Sequence, residues 1–198
     1  MKTLYESLLD DFDTLASKAD PRKAVDDFLK SNVVDYRRLI ISKTPNKDGL
    51  YEVSSKGDII ISCSNNHTGL TNGLFIWTKV KGDFDCSWNT NLETLEGGPK
   101  EVGGNFDCSR CTNLTTLEGA PKKIGGDFEC IWCKSLSSLK GAPKKIPREF
   151  NCSYCESLKT LKDGPKEVSG NFYCSICGRT FTKTEVNQQC DVAGRTVV

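Results

Sequence analysis

Phe106-Asp-Cys108-Ser-Arg-Cys111-Thr-Asn-Leu114-Thr-Thr-Leu117-Glu-Gly119-Ala-Pro121-Lys-Lys-Ile124 is followed by Phe128-Glu-Cys130-Ile-Trp-Cys133, and the same wording begins again. Working outward, Phe84, Phe106, Phe128, Phe150 and Phe172 keep a step of 22 residues, and Cys86, Cys108, Cys130, Cys152 and Cys174 follow each of them two residues later. A fixed period of this length is read before any motif inside it, because it marks units that bury their apolar face only by stacking on one another. Each unit runs from Val or Ile through Phe-x-Cys-x-x-Cys to a Leu pair and a turn with Pro and Lys. The Leu pairs are Leu92/Leu95, Leu114/Leu117, Leu136/Leu139 and Leu158/Leu161. Phe and Cys at alternate positions share one face of a strand, and the Leu pair with Val102, Ile124, Ile146 and Val168 supplies the return side of the same core.

The repeats resemble leucine-rich repeats, and their phrases Gly-Asn-Phe-Asp-Cys-Ser and Leu-Thr-Thr-Leu-Glu-Gly-Ala-Pro are similar to a variety common in bacteriophage and gut-bacterial genomes. The likeness covers roughly residues 57–179. It implies a right-handed β-solenoid with a protein-binding strand face. In such repeats an Asn at the bend satisfies backbone groups of the neighbouring coil; Asn89 stands there in the first regular unit, and Cys111, Cys133, Cys155 and Cys177 in the next four. That exchange resembles the cysteine-containing class, in which a buried thiol takes the ladder position.

Outside the repeats the pattern changes. Leu4, Leu8, Phe12 and Leu15 fall at helical spacing among Glu6, Asp10, Asp11 and Asp13, which predicts an amphipathic helix over residues 3–19. Its opening words are similar in style to leaders on phage proteins, including segments that load cargo into proheads; packing as a cap is the other reading. Asp20 as N-cap and Pro21 as first helical residue open a second helix that buries Ala24, Val25, Phe28 and Leu29 and stops near Asn32. Tyr36–Ile41, Leu50–Val53 and Ile59–Ser62 read as strands joined by turns. Ile61-Ser-Cys63-Ser-Asn-Asn66 resembles Phe84-Asp-Cys86-Ser-Trp-Asn89 one residue out of step, so it reads as an irregular first coil. After Cys177 the wording fails, and Thr184, Val186, Val192, Val197 and Val198 suggest a last extended segment. The expected division is N-terminal helices over 1–34, a β-hairpin and capping coil over 35–79, a solenoid of leucine-rich-repeat type over 80–179 and a C-terminal cap over 180–198, α+β overall.

Composition narrows function. A net charge of +1 on 198 residues and 37% hydrophobic content fit a soluble globular chain and give no bulk charge for nucleic acid. The longest apolar runs are too short to span a bilayer and no export signal opens the chain, so cytoplasm is expected, with a virion as the second address. Eleven cysteines without an export signal point to reduced thiols. Taken alone, Cys108-x-x-Cys111 and Cys130-x-x-Cys133 with 18 residues between them fit a four-thiolate zinc ribbon. Recurrence at the repeat period and Asn89 in place of a second Cys favour two internal rows instead, and no cofactor is expected. If zinc is held anywhere, Cys174, Cys177 and Cys190 are its ligands. His67 beside Cys63 or Cys86 is the only thiol and base pair on offer, and an idle cap histidine is the simpler reading. Neither a phosphate loop nor a metal-binding His pair appears, so a non-enzymatic role is expected.

Three rows flank the buried Phe and Cys. The first is Asp83, Asn105, Asp127, Glu149 and Asn171; the second is Asp85, Asp107, Glu129, Asn151 and Tyr173; the third is Trp88, Arg110, Trp132, Tyr154 and Ile176. Carboxylates beside large planar side chains suit a protein partner with basic and apolar groups, so Asp85, Asp107, Glu129, Tyr173, Trp88, Arg110, Trp132 and Tyr154 are the candidate binding residues. Lys100, Lys122, Lys123, Lys144, Lys145 and Lys166 follow the Pro turns on a different edge, and with Glu101 and Glu167 among them they read as a solvated edge rather than a nucleic-acid groove. No small-molecule substrate is indicated.

Overall fold

The computed structural model describes residues 20–62 and 68–198, and over them the chain is a β-solenoid of about six turns made of stacked coils of about 22 residues. The expected helix over 3–19 and the pair His67 with Cys63 lie outside the described residues. In chain order come helix α1 (Pro21–Asn32), a single 3-10 turn (Tyr36–Arg38), β1 (Leu39–Ile41), β2 (Tyr51–Ser55), β3 (Ile59–Ile60) and β4 (Phe75–Val80). The 3-10 turn takes the first half of what reads as one strand from Tyr36 to Ile41.

From there each coil contributes two short parallel strands. They are β5 (Phe84–Asp85), β6 (Glu101–Val102), β7 (Phe106–Asp107), β8 (Lys123–Ile124), β9 (Phe128–Glu129), β10 (Lys145–Ile146), β11 (Phe150–Asn151), β12 (Glu167–Val168) and β13 (Phe172–Tyr173). Helix α2 (Lys183–Gln189), β14 (Asp191–Val192) and β15 (Thr196–Val197) end the chain. One continuous sheet runs β15-β13-β11-β9-β7-β5-β3. The opposite side is divided into β1-β2-β4-β6-β8 and β10-β12-β14. Phe84 pairs with Phe106, Phe106 with Phe128, Phe128 with Phe150 and Phe150 with Phe172, so the sequence period becomes the register.

The core is a spine of rings. Phe28 of α1 meets Phe75 at 5.5 Å between centroids, Phe75 meets Trp77 at 5.8 Å, and Trp77 meets Phe84 at 5.6 Å. The five repeat Phe side chains continue the spine at 5.0–5.8 Å. Burying those five gives roughly 10 kcal/mol of gross transfer energy before the cost of ordering the chain. Each Leu pair is buried beneath them, and Gly119, at φ +90, lies where a Cβ would run into the backbone of Leu95 in the preceding coil. Gly141 stacks on the backbone of Leu117 in the same way, a close approach at positive φ that suits Gly, while Asp163, at φ 65°, takes the position in the fourth turn.

Two expectations are corrected at the ends. Ile59 pairs with Phe84 and Ile60 with Asp85, so Ile61 is the counterpart of Cys86 and not of Phe84. The reason is alternation: Ile59 and Ile61 are buried while Ile60 points outward. Beyond Cys177, Lys183–Gln189 is helical instead of extended. Thr182 accepts from the Glu185 backbone N–H (3.2 Å) and the Glu185 carboxylate accepts from the Thr182 N–H (2.8 Å), a capping box that starts α2. The helix replaces the Leu limb, and the coil then resumes, with β14 on β12 and β15 on β13.

Candidate partner-binding face

The bend after each strand is held by the second cysteine row. The Cys111 thiol donates to the Cys86 carbonyl (3.2 Å), Cys133 to Cys108 (3.2 Å), Cys155 to Cys130 (3.1 Å) and Cys177 to Cys152 (3.3 Å). In the first unit the Asn89 amide does the same for Ile61 (2.9 Å). A thiol is a weak donor, but here it satisfies a buried carbonyl that otherwise has no water to turn to. Hydrogen bonding with Cys111 and Cys133, then burial, pushes the Cys86 and Cys108 thiols well above their ordinary range; burial first does so for Cys130 and Cys152. Cys174 and Cys190 are buried and Cys177 is half-buried, with the Cys177 thiol also directed at the Cys174 carbonyl (3.2 Å). Among the described residues no three His, Cys, Asp or Glu side chains are grouped to hold a metal ion.

The first polar row proves to be a staple between coils. Asp83 Oδ1 accepts from the Asn105 backbone N–H (2.7 Å), Asn105 Oδ1 from Asp127 (2.8 Å), Asp127 Oδ1 from Glu149 (2.9 Å) and Asn171 Oδ1 from Arg195 (2.8 Å). Each oxygen is spent on backbone, which explains why an acceptor recurs at that position and leaves this row little to offer a partner.

The second row faces out but stays half-buried. Asp85 and Asp107 accept from the backbone N–H of Ser87 (2.8 Å) and Ser109 (2.7 Å), fixing the turn, while Glu129 has no such bond. Burial, with neighbouring carboxylates, raises both Asp107 and Glu129 above the usual carboxylate range. Tyr173 closes the row, its hydroxyl accepting from the Asn171 amide (2.9 Å).

The third row carries the most unusual backbone. Trp88, Arg110, Trp132, Tyr154 and Ile176 all have positive φ, between 53° and 62°. Left-handed backbone is the province of Gly and Asn, and for a bulky or β-branched residue it costs about 1 kcal/mol or more. The strain turns the side chains outward into one file. Arg110 lies over Trp88 at 4.2 Å and over Trp132 at 5.6 Å from the ring centroid, and Trp132 and Tyr154 stack at 4.3 Å with 3° between planes. Trp88 remains 68% exposed and Ile176 66%. The eight expected binding residues thus fall on one continuous face, with the planar file beside the acidic strand row. The staple and the left-handed backbone emerge only in the structure; the short Asp or Asn side chain at every first-row position except Glu149 is the sequence signal that marks the staple.

Comparison with protein-family models, with curated proteins and with solved structures yields no match. No helix among the described residues is long and apolar enough to cross a membrane.

Proposed function

We propose that the chain is a non-enzymatic binding module that grips a protein partner bearing basic and apolar groups through its acidic strand row and planar file. The observation that carries this reading is the file itself. Five successive coils place Trp, Arg, Trp, Tyr and Ile where Gly or Asn would sit without strain, and two of the five stay largely exposed. Backbone strain retained at neighbouring positions for the sake of outward side chains is a mark of function more than of packing. Large planar groups and Arg are also the side chains that dominate protein interfaces, and the carboxylates of Asp85, Asp107 and Glu129 would steer a cationic partner to them. In this reading the solenoid is of the leucine-rich-repeat type, phage-encoded, and meets its partner in the host cytoplasm.

The test is capture of a basic, aromatic peptide selected on the native chain from a displayed library. Replacing Trp88 and Trp132 by Ala should abolish capture while the far-ultraviolet spectrum and melting profile stay those of a folded solenoid. Undiminished capture by the folded double variant would remove the reading.

A further inference from the structure

The second sheet is broken between β8 and β10, and the break has a local cause. In the other coils the residue after the Val or Ile donates its backbone N–H to the previous coil: Gly103 to Val80 (2.8 Å), Gly125 to Val102 (3.0 Å) and Ser169 to Ile146 (2.9 Å). In the fourth coil that residue is Pro147, which has no N–H to give to Ile124. The next residue, Arg148, stands where Gly104 and Gly126 lie so close to the preceding coil that a Cβ would collide with the side-chain oxygens of Asp83 and Asn105. The two coils stay neighbours and pair at β9 and β11 but lack this ladder bond, and a groove of about 800 Å³ lies over the unbonded step.

Its floor is apolar. Ile124 is half-buried there, whereas its counterparts Val102, Ile146 and Val168 are buried, and Ala142 and Pro147 complete the surface. Its rim is basic. Lys123 and Lys145, neighbours along the sheet, turn away from each other to Glu101 (3.0 Å) and Glu167 (2.7 Å). Lys122 and Lys144 are bonded only to turn carbonyls, Lys144 to Asp163 at 2.7 Å and Lys122 to Gly141 at 3.5 Å, and among the described residues neither has a carboxylate partner.

We propose that this groove is a docking site for an extended peptide segment in which acidic side chains alternate with apolar ones. Such a segment, lying along the groove, offers a backbone N–H to the unbonded Ile124 carbonyl, an apolar side chain to the floor and carboxylates to Lys122 and Lys144. An aliphatic anion would supply the charge and the chain but no donor for the carbonyl. The site lies on the other sheet from the planar file and is independent of it.

The probes are two short fluorescein-labelled peptides, one alternating Glu with Val and one alternating Lys with Val, titrated into the full chain by anisotropy. The Glu peptide should bind saturably and the Lys peptide should not. Lys122→Glu with Lys144→Glu should weaken the Glu peptide by about tenfold or more, and Pro147→Gly, which restores the missing donor, should weaken it without lowering the melting temperature. Trp88→Asn should leave it unchanged, which separates this site from the planar file. Absence of saturable binding, equal affinity for the double Lys variant, or displacement of the peptide by decanoate would each overturn the proposal.

Discussion

Replacing Trp88 by Asn asks whether the planar file serves the fold or a partner. Trp88 is 68% exposed, so about a third of its surface is covered, and Arg110 lies over its ring at 4.2 Å. That covered third and the cation–π contact are one surface, together about 1–2 kcal/mol. Against this, Trp88 sits at φ 62°, and relief of left-handed strain on substitution by Asn returns about 1 kcal/mol. The net expected change is therefore a loss of about 1 kcal/mol or less, or some 2–4 °C for a chain of this size. Phe84→Ala provides the scale: its ring is fully buried in the spine, and the loss there should be about 3–5 kcal/mol. Binding behaves oppositely, since an exposed Trp at an interface centre is worth about 2–4 kcal/mol on truncation, a drop of roughly 30- to 1000-fold in affinity for the selected peptide. Thermal melts and peptide titration on the same samples decide it. A destabilisation of Trp88→Asn beyond about 2 kcal/mol, or unaltered affinity in a stable variant, would show that the strain is repaid inside the fold.

Four further outcomes follow from the geometry. On brief treatment of the native protein with iodoacetamide, Cys177 should be the first described thiol to react, because it is half-buried and the Cys152 side chain, donating to its sulfur, lowers it, whereas burial raises Cys174 to about 12 and Cys190 to about 11; mass spectrometry of the digest reads the order, and early labelling of Cys130 would contradict the ladder. Asn105→Ala should cost about 1 kcal/mol, since the Asp127 backbone N–H loses its acceptor, and equality with wild type in urea melts would remove the staple. Asp107 and Glu129 have folded-state values above their unfolded ones, so the folded chain takes up protons first and stability should rise as pH falls from 7 towards 5. Glu185, held at about 2 chiefly by Arg179, keeps its contribution throughout that window because it lies above the unfolded carboxylate range; a melting temperature that falls steadily from pH 7 to 5, or one equally pH-dependent in Asp107→Asn, would refute the assignment. Elemental analysis should find zinc well below one per chain, and stoichiometric zinc that resists dialysis would assign Cys174, Cys177 and Cys190 to a metal instead of to the last rung.

What the sequence discloses about this protein follows from what repeats. Phe84 to Phe172 and Cys86 to Cys174 announce the stack because each coil buries the same side chains, and Asp20-Pro21 announces α1 because capping is local chemistry. The ends resist for a different reason. Ile61 takes the place of Cys86 only because β3 pairs two residues out from where the words match, a fact of register that burial decides and wording does not. Thr182-Lys-Thr-Glu185 spelled a capping box in plain view, yet the valines nearby pulled the reading towards a strand.

The candidate face is legible in the sequence as rows but not as roles. Asp83 and Asp85 look alike in sequence, two acids flanking one Phe, yet one oxygen is spent on the next coil's backbone and the other only on its own turn. The difference arises because successive coils approach closely on the first-row side, where Gly82 and Gly104 leave no room for a Cβ, so an acceptor there meets an N–H one coil on. The same crowding gives Pro147 and Arg148 their effect: two ordinary surface residues interrupt the ladder because every other coil has a backbone donor followed by Gly at those positions. Departures from the repeat therefore carry as much information as the repeat. A solenoid that tolerates Trp at left-handed positions along one sheet and a missing ladder bond on the other has spent stability at two separate places on its surface, which is why the two proposed binding sites are placed there.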